Sequence, residues 1–450
     1  MKSTQSLTFK VTRKNPELIT PAKPTPHEFK PLSDIDNLEA LRRQIPVIQI
    51  YRRNPSAEGK DPVKVIRDAI AKTLVFYYPF AGRLREGSGG KLVVECTGEG
   101  VLFIEADVDV TLQQFGDAFY PPFPCKEELL YDVPASAGVL HCPLLLIQVT
   151  RLKCGGFIFT LRHNHMMSDG IGGVQFMSAI GEVARGAAIP SIPPVWDRHL
   201  LNARETLRVT CTNHVHTEIP DTEGTLTPPN DMVHRSFFFG ADEFTALRSR
   251  LPLHLGGCST FELLTACLWR CRTIAISLQP NEEVKIAWAH NFREQFNLLL
   301  PIGYYGNAIT FPIAISTAEE LSRNPLHYAL ELVRESKIKV MEELKKSSVD
   351  QLVIRSKQTL FVEGIYLVSD LTRAGFEEVD FGWGKPVYGG PMEDTIFGSH
   401  YIPFKNNGEI GKIIPVCLPA NAMEMFVKEL EEMLKGRDHQ KSTPFIKSAL

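Results

Sequence analysis

The sequence predicts an α/β protein with more than one domain, and three observations lead to this prediction. The chain has 450 residues, which is longer than a single hydrophobic core usually serves. Helical and strand-like patterns of apolar residues both recur along it. A polar stretch rich in proline separates two such patterned segments. We therefore expect a first domain over 1–190, a linker over 191–232 and a second domain over 233–450.

The composition is that of an ordinary globular protein, with 44% hydrophobic and 22% charged residues. A net charge of −3 argues against a nucleic-acid-binding protein. No apolar run is long enough to cross a bilayer, so a membrane protein is not expected either. The nine cysteines, many in apolar contexts, predict reduced thiols and a cytoplasmic location. The final Ser448-Ala449-Leu450 weakly resembles a peroxisomal signal and leaves that compartment as an alternative.

The first predicted helix covers residues 62–78. Asp61 is suited to cap it, apolar residues recur at helical spacing, and Pro79 ends it. Residues 91–96 and 101–106 then predict a β-hairpin, since glycines stand between two strand-like runs.

Two further strands are predicted over 144–152 and 157–165, followed by a helix over 173–185. Alternation along the second strand puts His163 and His165 on the same face. His165 thus ends a strand at the mouth of a turn, a position suited to a functional side chain.

In the second half, a strand is expected at Ser236-Phe237-Phe238-Phe239, and a helix begins at Ser259 or Thr260. Asn421 and Glu424 have the spacing of a capping box for a final helix.

His165-Met166-Met167-Ser168-Asp169-Gly170 is the segment with the clearest chemistry. An imidazole is suited to take a proton from an alcohol near neutral pH, and a carboxylate follows four residues later. In a chain with 13 histidines this spacing occurs readily by chance. A second motif, Asp380-Phe381-Gly382-Trp383-Gly384, makes the first more specific.

Together these motifs resemble those of the BAHD acyltransferases of plants, which move acyl groups from coenzyme A thioesters to alcohols or amines. Four further segments fit the same family: Leu32-Ser33-Asp34-Ile35-Asp36, Tyr78-Pro79-Phe80-Ala81-Gly82-Arg83-Leu84, Ser259-Thr260-Phe261-Glu262 and Tyr304-Tyr305-Gly306-Asn307. Within the family, the sequence from Cys142 to Val149 and its flanking residues resemble those of benzyl alcohol O-benzoyltransferases and related alcohol acyltransferases.

The resemblance implies two similar chloramphenicol-acetyltransferase-like α/β domains, each a mixed β-sheet with flanking helices. It places an active-site channel between them, with His165 at its middle, and implies that roughly residues 381–402 cross back to the first domain. We also expect a monomer that binds small-molecule substrates.

The implied activity is acyl-CoA-dependent O-acylation, with benzoyl-CoA and benzyl alcohol as the expected pair and His165 as general base. Acyl-CoA is then a co-substrate, and no permanently bound cofactor is expected. Another donor or acceptor remains open, such as acetyl-CoA, anthraniloyl-CoA, a terpenoid or alkaloid alcohol, or an amine. A catalytically silent binding protein of the same fold is a further alternative.

Two expected site residues have alternative roles. Asp169 either orients His165 or forms a salt bridge to Arg293, and the resemblance favours the salt bridge. Trp383 either donates its indole N–H to the oxyanion as a catalytic residue or belongs to the core.

The remaining site residues are structural supports and coenzyme A contacts. Asp380, Gly382 and Gly384 are expected to support the structure, as glycines suit backbone turns. Ser259, Thr260 and Ser369 are candidates for binding coenzyme A, although either of the first two is equally suited to cap a helix.

His163 and His165 could bind a metal only with a third ligand, which the sequence does not offer, so no metal site is expected. Three segments depart from the family pattern. In His163-Asn164-His165-Met166-Met167, a histidine stands where relatives are expected to carry an apolar residue, and Met-Met follows His165 where they are expected to carry Thr-Met. Asn291-Phe292-Arg293-Glu294-Gln295 lacks a second arginine, and residues 391–400 look short. The shortened segment leaves the identity of the alcohol open.

Overall fold

A computed structural model describes residues 7–116, 119–203, 231–294, 300–346, 353, 364–393, 398–406 and 408–435. The strands within these ranges are β1 (Val11–Arg13), β2 (Glu17–Ile19), β3 (Phe29–Pro31), β4 (Gln44–Tyr51), β5 (Arg83–Glu86), β6 (Leu92–Glu95), β7 (Val101–Val108), β8 (Leu145–Leu152), β9 (Phe157–Asn164), β10 (Met232–Phe239), β11 (Glu283–Trp288), β12 (His290–Asn291), β13 (Ile309–Thr310), β14 (Ile313–Thr317), β15 (Ile365–Asp370), β16 (Tyr388–Pro391), β17 (Gly398–Asn406) and β18 (Glu409–Pro419). The helices are α1 (Pro62–Thr73), α2 (Lys126–Leu129), α3 (Gly170–Ala184), α4 (Ala241–Ser249), α5 (Thr260–Ile276), α6 (Ala318–Arg323), α7 (Leu326–Lys346) and α8 (Ala420–Leu434). In the described ranges, no helix has the length and hydropathy needed to span a membrane.

The first sheet has the strand order β1-β7-β8-β9-β4-β16, and β2 also pairs with β7. Strands β7 and β8 run parallel, whereas β8, β9 and β4 form an antiparallel series. Helices α1 and α3 contact each other beside this sheet. Apolar residues from strand and helix, among them Phe159, Ile70 and Ile180, form one buried cluster there. The sheet and helices together hold the end of β9 rigidly.

The second sheet has the order β10-β18-β17-β15-β11-β14 and is also mixed. Strand β15 runs parallel to both β11 and β17, and the other pairs are antiparallel. Helix α5 contacts α7 and α8, and its apolar residues form a second buried cluster with this sheet. Each half of the chain thus contributes a mixed sheet, and the cluster at the first sheet also takes in residues of the second half, such as Tyr305 and Phe381.

Strand β16 joins the two halves, because it follows the second half in sequence but pairs with β4 in the first sheet. The expectation that roughly residues 381–402 cross back is too long at its end. Residues 398–402 belong to β17, which pairs with β15 and β18 in the second sheet. A third cluster, including Ile48 of β4 and Ile413 of β18, packs the two sheets against each other.

The expected hairpin over 91–96 and 101–106 is wrong, because its two strands enter different sheets. Strand β6 pairs with β3 and β5, whereas β7 lies in the first sheet. Gly98 and Gly100 have φ values of 69° and 97°, which turn the chain from one sheet to the other. A Cβ on Gly100 would lie 2.3 Å from the Ile19 carbonyl oxygen, so the turn requires glycine.

Helix boundaries differ from the sequence prediction in three places. Helix α1 is capped by Asp61 as expected but ends at Thr73, and Tyr77, with φ −98° and ψ 37°, is no longer helical. Helix α3 begins at Gly170 rather than at residue 173. The predicted capping box on α8 is wrong, since Asn421 lies inside the helix and Pro419 precedes it without a side-chain cap.

Candidate functional site

His165 directly follows the last residue of β9, and its main chain is held from two sides. Its N–H donates to the Arg43 carbonyl at 2.9 Å, one residue before β4 begins. Its carbonyl accepts from Asn307 Nδ2 at 2.8 Å, a residue of the second half of the chain. The side chain is half-buried. The histidine is therefore fixed in position while its ring keeps some access to solvent.

The surroundings of His165 favour a neutral imidazole. Burial, followed by the charge of the Arg43 guanidinium, lowers the pKa of His165 from its ordinary value. Nδ1 is buried without a hydrogen bond of normal geometry. At neutral pH the ring is thus in the form that accepts a proton.

Asp169 is the N-cap of α3, and its side chain accepts from the Gly172 N–H at 3.0 Å. Arg293 binds both carboxylate oxygens, at 2.8 and 2.9 Å, and the Ala308 N–H donates to one of them at 3.0 Å. Burial alone would raise the pKa of Asp169, but Arg293 and the backbone donors outweigh it and hold the pKa below its usual range.

The structure contains the salt bridge between Asp169 and Arg293 that the resemblance favours. In the described residues, the Asp169 carboxylate makes no hydrogen bond with the His165 ring; its partners are Arg293, Gly172 and Ala308. The carboxylate therefore ties the turn after His165 to residues of the second half, rather than orienting the imidazole directly.

Asp36 was not identified from the sequence, yet it lies at the centre of the contacts that hold this turn. Its carboxylate is fully buried and accepts from the Asn307 N–H and Nδ2 at 3.0 and 2.8 Å. The same Asn307 amide donates to the His165 carbonyl. The Ser33 hydroxyl adds a further hydrogen bond to Asp36 at 2.7 Å.

Arg198 completes this network with a buried positive charge. Its guanidinium lies 2.8 Å from each oxygen of Asp36 and donates to the Met167 carbonyl at 2.7 Å. It also stacks 4.4 Å from the centre of the Trp196 ring. The turn from His165 to Asp169 is therefore supported by two ion pairs, Asp169–Arg293 and Asp36–Arg198.

The sequence contained only a partial signal for this network. Asp36 and Asn307 belong to two segments quoted for the family resemblance, but neither segment indicated a role. Arg198 lies in the region expected to be a polar linker, where a buried arginine is not anticipated. Residues 204–230 of that region lie outside the described residues.

Asp380 and its two glycines form a self-contained turn. Asp380 Oδ1 accepts from the N–H groups of Gly382 and Gly384 at 2.7 and 2.8 Å. The glycines have φ values of 103° and 85°, in the left-handed region that other residues rarely adopt. Arg185 of the α3 C-cap donates to the Asp380 carbonyl. The geometry fits the structural support expected of these residues.

Trp383 does not fit the catalytic role expected of it. Its ring packs edge-on against Phe157, with the centroids 5.2 Å apart, and only 8% of it is exposed. Phe157 and His165 lie at opposite ends of β9, which separates them by about 25 Å at the usual rise per residue. An indole N–H at that distance cannot reach an oxyanion formed at His165. Trp383 is a core residue, the second role considered for it.

The candidate coenzyme A contacts are divided between two elements. Ser259 caps α5, where its hydroxyl accepts from the Glu262 N–H at 3.2 Å and its own N–H donates to the Glu262 carboxylate at 3.0 Å. Thr260 is the first residue of that helix. Ser369 lies near the end of β15, and Leu371 just beyond it approaches Gly170 in the turn after His165. Of these candidates, Ser369 lies on the strand that leads to the site.

His163 lies beside His165, with the ring centroids 6.1 Å apart. Both its ring nitrogens are buried without hydrogen bonds of normal geometry, and burial together with His165 lowers its pKa to about 3. Among the described residues, no group of three His, Cys, Asp or Glu side chains is arranged to bind a metal ion. His163 is therefore a buried, neutral imidazole beside the half-buried His165.

Two surface cavities lie elsewhere. One, of about 600 Å³, is lined by Arg13, Lys14, Asn15, Glu17 and Glu105. The other, of about 400 Å³, is lined by Gly59, Lys60, Asp61, Pro62, Arg151, Leu152, Gly155 and Gly156. His165 borders neither of these cavities.

Comparison with known proteins agrees with this architecture. Vinorine synthase superposes with a TM-score of 0.74 at 21% identity, over 94% of this chain and 98% of that one. TRI101 of F. sporotrichioides, solved with coenzyme A and T-2, gives a TM-score of 0.71 at 17% identity, over 91% and 98% of the two chains. These likenesses confirm the predicted α/β acyltransferase fold.

Comparison of the sequence with known proteins shows which family the chain belongs to. A benzyl alcohol O-benzoyltransferase from Petunia hybrida is 63% identical over 441 residues, which cover 97% of this chain and 96% of the relative. The model of the Transferase family matches residues 9–433. The chain therefore belongs to the Transferase family of BAHD acyltransferases and is itself an acyltransferase.

Proposed function

We propose that this acyltransferase forms esters from an acyl-CoA and an alcohol, with benzoyl-CoA and benzyl alcohol as the preferred pair. The observation that carries the proposal is His165, a fixed, half-buried and neutral imidazole at the end of a rigid strand. The choice of substrates rests on the 63% identity to a benzyl alcohol O-benzoyltransferase.

In the proposed reaction, His165 takes the proton of the acceptor hydroxyl. Because Nδ1 is buried, Nε2 is the nitrogen that the hydroxyl approaches. The alcohol oxygen then attacks the thioester carbonyl carbon and forms a tetrahedral oxyanion, which collapses and expels the thiolate of coenzyme A. The protonated ring returns its proton to the sulfur, so atoms and charge balance without a covalent enzyme intermediate.

Base catalysis is proposed because the leaving thiol and the attacking alcohol differ in acidity. A thiol has a pKa of about 8.5 and leaves as a thiolate far more readily than an alkoxide does. Removing the proton from the attacking alcohol is therefore the step that needs help. General-base catalysis supplies roughly a factor of 100 to 10,000, and alignment of the two bound substrates supplies much of the rest.

The two ion pairs act as positioning devices in this proposal. Asp169 with Arg293, and Asp36 with Arg198, fix the backbone on both sides of the turn that carries His165. A buried ion pair is costly to break, so the turn has few alternative conformations. The base is thus held where the substrates meet.

The same proposal covers the molecule's state and surroundings. Acyl-CoA acts as a co-substrate, and no permanently bound cofactor takes part. A monomer suffices, because one chain supplies His165 and both ion pairs.

We propose two domains, over 1–190 and 233–450, joined by the segment 191–232. We place the protein in the cytoplasm; Ser448-Ala449-Leu450, which leaves the peroxisome as an alternative, lies outside the described residues.

The test is release of coenzyme A from benzoyl-CoA with and without benzyl alcohol, with the ester identified by mass spectrometry. His165→Ala should fold but lose about a hundredfold or more in turnover. His254→Ala, at an exposed position, is the matched control and should keep full activity. Release without acceptor would indicate a thioesterase. Absence of any product across a panel of donors and acceptors would favour a silent binding protein.

A further inference from the structure

Arg43 is the nearest cross-strand neighbour of His165. Strand β4 pairs with β9 in antiparallel register, with Gln44 opposite Asn164. The hydrogen bond from the His165 N–H to the Arg43 carbonyl extends that register by one residue. Residues opposite each other in such a ladder share a face, with Cβ atoms about 5 Å apart. The positive charge of Arg43 contributes to the lowered pKa of His165, which agrees with a position of the two side chains on the same face.

The guanidinium of Arg43 has no counter-charge among the described residues. Burial lowers its pKa, and no described carboxylate offsets this effect. The residue is nevertheless exposed to solvent, so a dissolved substrate can reach its side chain. Arg162, on the same pair of strands, shows the usual arrangement, with a salt bridge to Asp132 at 2.8 Å.

An exposed cation with no counter-charge among the described residues is suited to bind an anion that arrives with a substrate, and arginine is the side chain best matched to a carboxylate. The phosphates of coenzyme A are separated from the reacting sulfur by the full pantetheine arm. With that sulfur at His165, these phosphates lie too far away to meet Arg43. The anion must therefore belong to the alcohol or to the acyl group being transferred.

We propose that Arg43 is a specificity-determining residue that binds a carboxylate carried by the acceptor alcohol or by the acyl group. The inference rests on the proposed function, since it concerns the substrates of the same site. It extends the substrate class beyond neutral alcohols and neutral acyl groups to carboxylated ones. The matched variant is Arg42→Gln, because Arg42 is adjacent, exposed and paired with Glu39 at 3.2 Å.

The test compares kcat/KM for charged and neutral substrates in the wild type, Arg43→Gln and Arg42→Gln. One arm uses benzoyl-CoA with 4-(hydroxymethyl)benzoate or benzyl alcohol. The other uses benzyl alcohol with malonyl-CoA or acetyl-CoA.

The ratio of kcat/KM for the charged substrate to that for the neutral one should fall roughly tenfold or more in Arg43→Gln, the size expected for loss of a charged hydrogen bond. Arg42→Gln should leave the ratio within about twofold, as expected for a residue with an exposed partner. The arm that responds identifies which reactant carries the carboxylate.

Two outcomes would overturn the inference: neither charged substrate reacts with the wild type although the neutral pair does, or the charged-to-neutral ratio is unchanged in Arg43→Gln. An unchanged ratio with equal losses for both kinds of substrate would indicate a general electrostatic effect on the reaction. Calorimetric binding of 4-(hydroxymethyl)benzoate to the wild type and Arg43→Gln separates this inference from the proposed function. If no ester forms but the carboxylate binds in an Arg43-dependent manner, only the proposed function has failed.

Discussion

At the scale of single residues, His165 determines how activity depends on pH. The ring must be deprotonated to act as a base, and burial, followed by Arg43, lowers its pKa below the ordinary value of 6.5. Activity should therefore be complete at neutral pH and be lost only as the pH falls through the lowered value. We expect the acid limb of kcat/KM, measured with benzoyl-CoA and benzyl alcohol, to have its midpoint below 6.5. A midpoint at or above 6.5 would contradict the lowered pKa.

His163 should reduce stability in acid, because the unfolded chain binds a proton near pH 6.5 that the folded chain accepts only near pH 3. The free energy of unfolding therefore decreases as the pH is lowered from about 6.5 towards about 3. His163→Leu removes two unpaired buried nitrogens and should raise stability by about 1–3 kcal/mol, with a larger gain at pH 5 than at pH 7.5. Urea unfolding at both pH values measures this. The exposed His254→Leu is the control, and an equal gain from it would count against the explanation.

At the scale of elements, the Asp36–Arg198 pair connects the start of the chain, the segment after α3 and the residues before β13. Removing one partner leaves an uncompensated charge that is 0% or 1% exposed. Asp36→Asn and Arg198→Met should each lower the free energy of unfolding by about 3–5 kcal/mol, and the double variant should lose less than the sum. Urea denaturation of the single and double variants tests this coupling.

The control for that experiment is the exposed pair Arg53–Glu58, whose side chains are 60% and 73% exposed. Glu58→Gln should change stability by about 0–1 kcal/mol. Simple addition of the Asp36→Asn and Arg198→Met effects would show that the two side chains do not support the turn as a unit.

The sequence was informative where the chemistry is local and much less so where it is not. His165 and Asp169 lie within one short segment, so their motif could be recognised without a fold. Asp36 and Arg198 are 162 positions apart, and their pairing depends on how the chain packs. Helix α1 was placed by local caps and spacing. Strand β7 was assigned to the wrong partner, because a glycine turn does not tell which sheet the chain enters next.

At the scale of the whole molecule, β16 is where the two halves share a sheet, so a defect there should separate their unfolding. A Cβ on Gly389 would lie 2.4 Å from Gln49 Oε1 and 2.5 Å from the Phe376 carbonyl oxygen. Gly389→Ala should cost about 1–3 kcal/mol and broaden or split the thermal transition. Calorimetry measures this against Gly257→Ala, where a Cβ has nothing within 4 Å. A single sharp transition at the wild-type temperature would contradict the role given to β16.

The Asp36 carboxylate receives its donors from Ser33, Arg198 and Asn307, which the ribosome delivers at widely separated times. A nascent polypeptide that has not reached Asn307 leaves the His165 carbonyl without its amide clamp. The His165 carbonyl can gain this hydrogen bond only after residue 307 has been synthesised, when β16 and much of the second sheet are still to be made. Truncated chains that end before Asn307 are therefore expected to lack a fully positioned base.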